Sequence, residues 1–359
     1  MELGIIGLPT SGKTTIFNAL TRGNHPTGPA TTGKMEIHSA VVDVPDERVG
    51  RLNEMFQRDK TIHAKVTYTD VAGLEGMGKR GLSGQLRNHI ATLDALIHVV
   101  RTFESAVVPH PLGSVAPQRD LEMFHGEMIL ADLLAAENRL ERIAEGLRKG
   151  ARGDERKSLQ EQQSFFQRLC TALESEIPLR DLDLMSKEKE TLHGFGLLSL
   201  KPTLVLLNTG EDPLDPAKVL HYEHRQTELL SLSGKLEMEI GQLALDEVEL
   251  FMQEFGIQEL GLNRVIQTSY ALLGLQSFFT VGEDEVRAWT VREGATALDA
   301  AGTVHTDLAR GFIRAEVIAY DELMAIGSLT AARKMGKLRL EGKKYVVQDG
   351  DILRIRFSI

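Results

Sequence analysis

Cysteine is nearly absent. Among 359 residues only Cys170 occurs, so no disulfide can form within the chain, and such usage suits a reducing cytosol. No apolar stretch approaches the ~18 residues that a membrane span requires. The first strand-like run begins at Glu2, and no signal peptide is expected ahead of it. A basic excess is missing as well: 41 Lys and Arg face 51 Asp and Glu, for a net charge of −10. That balance excludes general attraction of the surface to nucleic acid, so DNA is not an expected partner and RNA would need a local basic face. Internal repeats and low-complexity tracts are also lacking. What remains, 42% hydrophobic and 26% charged residues, is ordinary for a globular chain long enough for two or three domains.

The opening stretch MELGIIGLPTSGKTTIFNAL carries the strongest signal. A short apolar run with β-branched residues predicts a buried strand, and Ile16, Phe17 and Leu20 recur at helical spacing. Between them Gly7-x4-Gly12-Lys13-Thr14 fits the phosphate-binding loop in the context it needs, strand before and helix after. The candidate nucleotide-binding segment is therefore Gly7, Leu8, Pro9, Thr10, Ser11, Gly12, Lys13, Thr14 and Thr15. Its glycines let successive N–H groups face inward as an anion cradle, and the following helix adds its positive end. Lys13 would reach the β- and γ-phosphates, as a catalytic residue, and the Thr14 hydroxyl would ligate Mg2+.

Later strands are read in MEIHSAVVDV, HAKVTYTDVAGL, LDALIHVV and KPTLVLLN, separated by helical stretches. This order predicts a doubly wound α/β domain with its site at the strand C-termini. D-x-x-G is a weak pattern by itself, expected by chance about once in a chain this long. At the end of a strand after a phosphate loop it gains weight: Asp70 would hold the metal, and the Gly73 N–H would meet the γ-phosphate as part of the catalytic set. LNTGED stands where a GTPase carries N-K-x-D. Asn208 is kept, Thr209 replaces the lysine, and Glu211 replaces the aspartate that grips guanine. SLSGKLE, with Ser233 and Gly234, resembles the loop behind the base in such proteins.

From about Leu121 the pattern changes. Ile129, Leu133, Ala136, Leu140, Ile143 and Leu147 make a heptad seam, and Leu159, Phe166, Leu169 and Leu173 continue a stripe after the break KGARGDE. Two long helices joined by a turn predict a projecting hairpin, and removal of Leu121–Gly194 is expected to spare nucleotide binding. The alternative is two ordinary crossover helices packed on the sheet. In the last eighty residues VRAWTV, GFIRAEVI and KYVVQDGDILRIRF are strand-like, with Asp299 to Leu308 and AARKMG as the only helical candidates. Lys334, Lys337, Arg339, Lys343 and Lys344 form a basic cluster there that could meet RNA phosphates.

GIIGLPTSGKTTIFNALT, DVAGL, HVVRTFE, LNTGED, GLNRVI and the tail VRAWTVREGATA…HTDLARGFIRAEVIAY…GKKYVVQDGD together resemble the YchF/Obg-like ATPase family of translation-associated phosphate-loop proteins. The resemblance covers essentially the whole chain. It implies a Ras-like domain, residues 1–117 and 196–277, interrupted by a helical coiled-coil arm at 118–195. A β-grasp (TGS) domain would follow at 278–359. It further implies binding of ATP at least as readily as GTP, slow hydrolysis and association with ribosomes; the residues themselves add Mg2+, a cytoplasmic location and a possible RNA contact through arm and TGS-like domain as expectations. By the same resemblance Thr31 or Thr32 would supply the first-switch metal ligand. His110 falls at the place of a histidine proposed to replace the water-orienting glutamine, since Leu74 follows DVAG here. An ordinary surface position for His110 is the other reading. Thr10 departs from the family's asparagine, which puts potassium stimulation in doubt. A GTP-specific switch and a binding adaptor with nucleotide as structural ligand remain the competing functions.

Overall fold

The computed structural model describes residues 1–27, 36–72, 82–210, 214–254 and 259–358. In chain order the strands are β1 (Glu2–Ile6), β2 (Glu36–Asp43), β3 (Lys60–Ile62), β4 (Lys65–Ala72), β5 (Ala95–Arg101) and β6 (Thr203–Asn208). They continue with β7 (Thr227–Leu232), β8 (Leu275–Val281), β9 (Glu285–Arg292), β10 (Phe312–Ala319), β11 (Arg339–Glu341) and β12 (Asp351–Phe357). Two six-stranded sheets result, ordered β2-β4-β1-β5-β6-β7 and β11-β10-β12-β8-β9-β3. The chain divides into two compact units: unit 1 is Met1–Ala40 with Thr67–Leu262, and unit 2 is Val41–Val66 with Asn263–Ile359.

Unit 1 holds the α/β architecture expected from the apolar runs. β1 pairs in parallel with β4 and β5, β5 with β6, and β6 with β7. Every residue of β5 and β6 is buried, as strands covered on both faces require. The helix Lys13–Thr21 follows β1 and packs on the helix Gly234–Gly241. Strand β7 was not anticipated: TELLSL carries polar residues at an edge, where half-exposure hides the apolar run.

The long helices are Pro117–Arg148 and Gly153–Glu174, and they form an antiparallel pair: Arg139 Nη2 donates to Gln162 Oε1 at 2.6 Å. The heptad positions Ile129, Ala136 and Ile143 are buried against Phe166, Leu169 and Leu173. Helix pairing and sheet contact fall on different lengths of the first helix. Its first turns serve the sheet instead: Leu121 joins Val100, Val205 and Leu207, while Phe124 and Met128 join Ile6, Val71 and Leu96. Asp132, 1% exposed, accepts the backbone N–H groups of Leu198 and Ser199 at 2.8 and 2.7 Å. Excising Leu121–Gly194 would therefore uncover the sheet, and loss of soluble protein is the expected result. Removing only residues 138–165, closed by a short turn, should leave a folded chain with unchanged nucleotide affinity. Circular dichroism and calorimetric titration check both, and an insoluble shorter deletion would refute this division of the helix.

Unit 2 is built on a mixed sheet. β10 pairs antiparallel with β11 and β12, β12 parallel with β8, and β8 antiparallel with β9. Phe278, Ala297, Ala300, Ala301, Val317 and Leu353 fill one face. The helix Ala297–Val304 starts at Thr296, whose hydroxyl accepts the Asp299 N–H while the Asp299 carboxylate accepts the Thr296 N–H. Three features differ from the sequence reading. β8 opens the sheet three residues before the expected boundary at 278. A helix at Tyr320–Ile326 was not foreseen, and KYVVQ forms only an isolated bridge from Val346 to Thr296. Most of all, residues 41–66 count with unit 2, because β3 adds its backbone in parallel to β9 at Lys60↔Glu285; three exposed or half-exposed residues give no periodicity to read.

Candidate functional site

The parallel strands of unit 1 end on one side, and β1, β4, β5 and β6 each deliver a polar group there. Gly7 leaves β1 at φ 144°, and a Cβ on it would stand 2.4 Å from the Val99 carbonyl oxygen. Gly12 has φ 96°, and its Cβ would meet Asn208 Nδ2 at 2.1 Å. Glycine is thus required twice, once by a strand behind the loop and once by the side chain clasping it. Between them Thr10 has φ 61°, a strained conformation for a β-branched residue. Gly7 to Thr15 do form the loop and first helical turn that the spacing predicted.

Lys13 opens the helix and is 9% exposed; its Nζ donates to the Leu8 carbonyl at 2.9 Å. Burial lowers the ammonium from an ordinary 10.5 to about 8, and the Asp70 charge offsets only part of this. Thr14 Oγ1 donates to Asp70 Oδ2 at 2.7 Å. Asp70 is wholly buried at the end of β4, and burial raises its pKa against the opposing effects of Thr14 and Lys13. Its Oδ1 and the Ser11 hydroxyl are buried with no hydrogen-bond partner among the described residues. Buried polar atoms are rarely left so. Two hard oxygens meeting beside an orphaned carboxylate oxygen suit a small divalent cation, and the inward loop suits an anion.

Asn208 closes the loop from β6. Its Nδ2 donates to the Ser11 carbonyl at 2.9 Å, and its Oδ1 accepts the Gly234 N–H at 3.1 Å. The amide therefore joins the phosphate loop to the Ser233–Gly234 turn, with both ends engaged. Thr209 N–H donates to the Leu232 carbonyl at 2.9 Å, tying the same two segments. Of the remaining sequence candidates, Thr31, Thr32, Gly73, Leu74 and Glu211 lie outside the described residues. His110 does not occupy an open surface loop: it is 9% exposed, with Nε2 2.9 Å from Asp120 Oδ2 and Nδ1 accepting the Leu112 N–H at 3.2 Å. The prolines on either side suggested exposure, but the helix beginning at Pro117 brings Asp120 back over the ring.

One residue escaped the sequence reading entirely. Arg101, the last residue of β5, is 2% exposed. Its Nη1 donates to the Thr10 carbonyl at 3.3 Å and approaches Thr10 Oγ1 at 3.4 Å; Nε donates to Phe103 O at 2.9 Å and Nη2 to Val108 O at 2.8 Å. Among the described residues this buried cation bonds only neutral acceptors, with the Phe103 ring 4.4 Å from its Cζ. The available signal was a lone arginine closing an apolar strand, and nothing local tells that apart from a strand end turning to water.

Comparisons agree with this geometry. The family described as 50S ribosome-binding GTPase matches residues 2–131, and YchF-GTPase_C, described as a protein of unknown function, matches residues 275–358. The chain is 39% identical to the Ribosome-binding ATPase YchF of Bacillus subtilis, covering 100% of both chains. It is 37% identical to that of Escherichia coli O157:H7, over 100% of this chain and 99% of the other. The Schizosaccharomyces pombe YchF GTPase structure is similar at a TM-score of 0.84 and 32% identity, over 99% of this chain and 97% of that one.

Proposed function

This chain belongs to the YchF family, and from that premise we propose a slow, Mg2+-dependent ATPase whose nucleotide state changes its hold on a ribosome. The observation that supports it most is the convergence of Lys13, Thr14 and Asp70 on one buried spot inside the glycine-built loop. Thr14 and Asp70 would hold Mg2+, which when bound neutralises phosphate oxygens and so stabilises the transferring phosphoryl group. Lys13 exchanges the Leu8 carbonyl for the β- and γ-phosphates, regaining charge partners its burial now denies it. Loop N–H groups held in place by Asn208 and Arg101 add fixed dipoles toward developing negative charge. Thr32 and the Gly73 N–H would complete the shell. For His110 to orient water its ring would have to leave Asp120, so chemistry relies chiefly on positioning, and turnover is slow.

For the base, Glu211 is one methylene longer than a guanine-gripping aspartate, Thr209 replaces the lysine, and Asn208 is engaged elsewhere. Each lost hydrogen bond to a buried base edge costs roughly 1–3 kcal/mol, enough to remove most guanine preference. The names of the Bacillus and Escherichia relatives support ATP; the GTPase titles of the yeast structure and of the 2–131 match favour the second reading, a GTP switch. Competition of ATP and GTP for one labelled analogue decides between them. ATP is expected to bind at least as tightly, and a GTP preference above about tenfold would overturn the proposal. Partner and place follow the same relatives: a ribosome in the cytoplasm; no helix among the described residues is long and apolar enough to cross a bilayer. The paired helices are proposed as the coiled-coil arm, 118–195, and the unit 2 sheet as the TGS-type β-grasp, 278–359.

A further inference from the structure

At the end of unit 1 away from the phosphate loop opens a cavity of about 340 Å³. The parallel strands carry Asn208 and the loop it clasps at their C-terminal ends. This cavity instead takes Leu200 and Gln226 from just before β6 and β7 begin. Most of its wall is the segment returning from the paired helices, with Leu179, Leu182, Leu184 and Met185. These side chains and Leu200 are all aliphatic. Among the described residues that line the cavity none is aromatic, so a nucleobase would find no ring to stack on.

Three cations share this apolar wall: Arg180, Lys189 and Arg225. Arg180 is 4% exposed. Its Nη1 donates to the Ser199 carbonyl at 3.2 Å and its Nη2 to the Tyr222 hydroxyl at 2.5 Å. Its Nε is buried without a hydrogen-bond partner among the described residues. Asp181, next in the chain, is occupied by His224 Nδ1 at 2.7 Å and by the Arg225 N–H at 2.8 Å. The buried guanidinium thus bonds only neutral acceptors among the described residues, an arrangement that is costly until a counter-charge arrives. Lys189, on the helix Ser186–Leu192, is exposed and forms no ion pair among the described residues. Asp183 is the one carboxylate on the lining, and Arg225 takes it up. The positive excess is local, since the chain as a whole carries −10.

We propose that this cavity binds a small amphipathic anion, its aliphatic chain against the leucines and its carboxylate or phosphate head toward Arg180 and Lys189. The volume stands near the lower end of the about 300–1,000 Å³ usual for ligand cavities, which suits a short alkyl or acyl chain. A neutral alcohol would satisfy the wall and leave the cations as they are. No residue of the phosphate loop lines the cavity, so the site is independent of the nucleotide reading. A ligand spanning Met185, Leu200 and Gln226 would also fasten the returning segment to the strand openings, and should raise the melting temperature.

The test titrates octanoate and octyl phosphate calorimetrically into the full chain, with 1-octanol as the neutral comparison. At least one anion should bind about tenfold or more tightly than octanol, and the anion preferred identifies the head group the site takes. Lys189→Glu should weaken that anion about tenfold, and Met185→Ser about threefold through the lost apolar contact. Lys187→Glu makes the same change in charge on the same helix but outside the cavity, and should stay within about twofold of the parent. Arg180→Met should abolish the preference for the anion over octanol. If that variant does not fold, Lys189→Glu decides alone. Circular dichroism melting of each variant reports an intact fold without reference to nucleotide turnover. No anion binding by the parent, octanol bound as tightly as the anions, or equal losses in Lys187→Glu and Lys189→Glu would each overturn the proposal. Displacement of the bound anion by saturating ADP would overturn it too, by placing the anion in the phosphate loop.

Discussion

Lys13→Ala is expected to bring triphosphate turnover below detection while the apo chain melts no lower than its parent. The asymmetry follows from the site. In the apo chain the Lys13 ammonium is buried against one carbonyl, with Asp70 as its partial counter-charge. It was placed there for an anion that arrives later, so its loss removes little native stability and most of the charge that meets the phosphates. Its pH behaviour supplies an independent check. With its free-protein value lowered to about 8, kcat/KM should fall tenfold per pH unit above that point, since binding needs the ammonium. Bound phosphates raise the value again, so kcat should hold to higher pH. The stability sign is the reverse: the unfolded chain binds more protons between about 8 and 10.5, so apo stability attributable to Lys13 rises across that window. Turnover of the variant equal to the parent, after controls for contaminants, would leave only the adaptor reading.

Arg101→Met should weaken triphosphate binding by about ten- to a hundredfold, the range for losing hydrogen bonds from a charged group. Thr10 keeps its left-handed turn because a guanidinium fastens its carbonyl to β5 and to the 103–108 segment. Among the described residues the cation bonds only neutral acceptors, so phosphates held in the loop would add the counter-charge that these acceptors lack. The loss should therefore grow from adenosine to ADP to ATP in calorimetric titrations. Arg101→Lys should keep part of the phosphate-graded term, through its charge, and lose the three-way clasp. A lower melting temperature with unchanged affinities for all three ligands would show the arginine to be packing alone.

How far the sequence disclosed this arrangement depended on the range of each signal. The phosphate loop was legible because two glycines at fixed spacing encode local backbone shape, and β5 and β6 because full burial demands unbroken apolar runs. Asp70 was legible from its place at a strand end. Arg101 was not, since its partners Thr10 and Val108 come from elsewhere in the chain. That Asn208 also clasps the phosphate loop was not legible, because the motif it belongs to says nothing of the Ser11 carbonyl. The heptad seam identified the helical pair, yet the same stripe continues into Leu121 and Phe124, where its partner changes from helix to sheet. Periodicity reports that a face is buried and never against what.

The pairing of β3 with β9 bears on how the protein is made. β3 leaves the ribosome about two hundred residues before the strand it will lie against. At ~5–20 residues per second the delay is on the order of ten seconds or more. Over that interval unit 1 can close around its own parallel strands, while β3, between β2 and β4, has no partner strand to join. Birth order thus makes the nucleotide-binding half a finished body before the second half exists. The nascent chain meanwhile carries an unclaimed strand, short, opening on Lys60 and followed by His63, a composition that discourages pairing with the wrong neighbour.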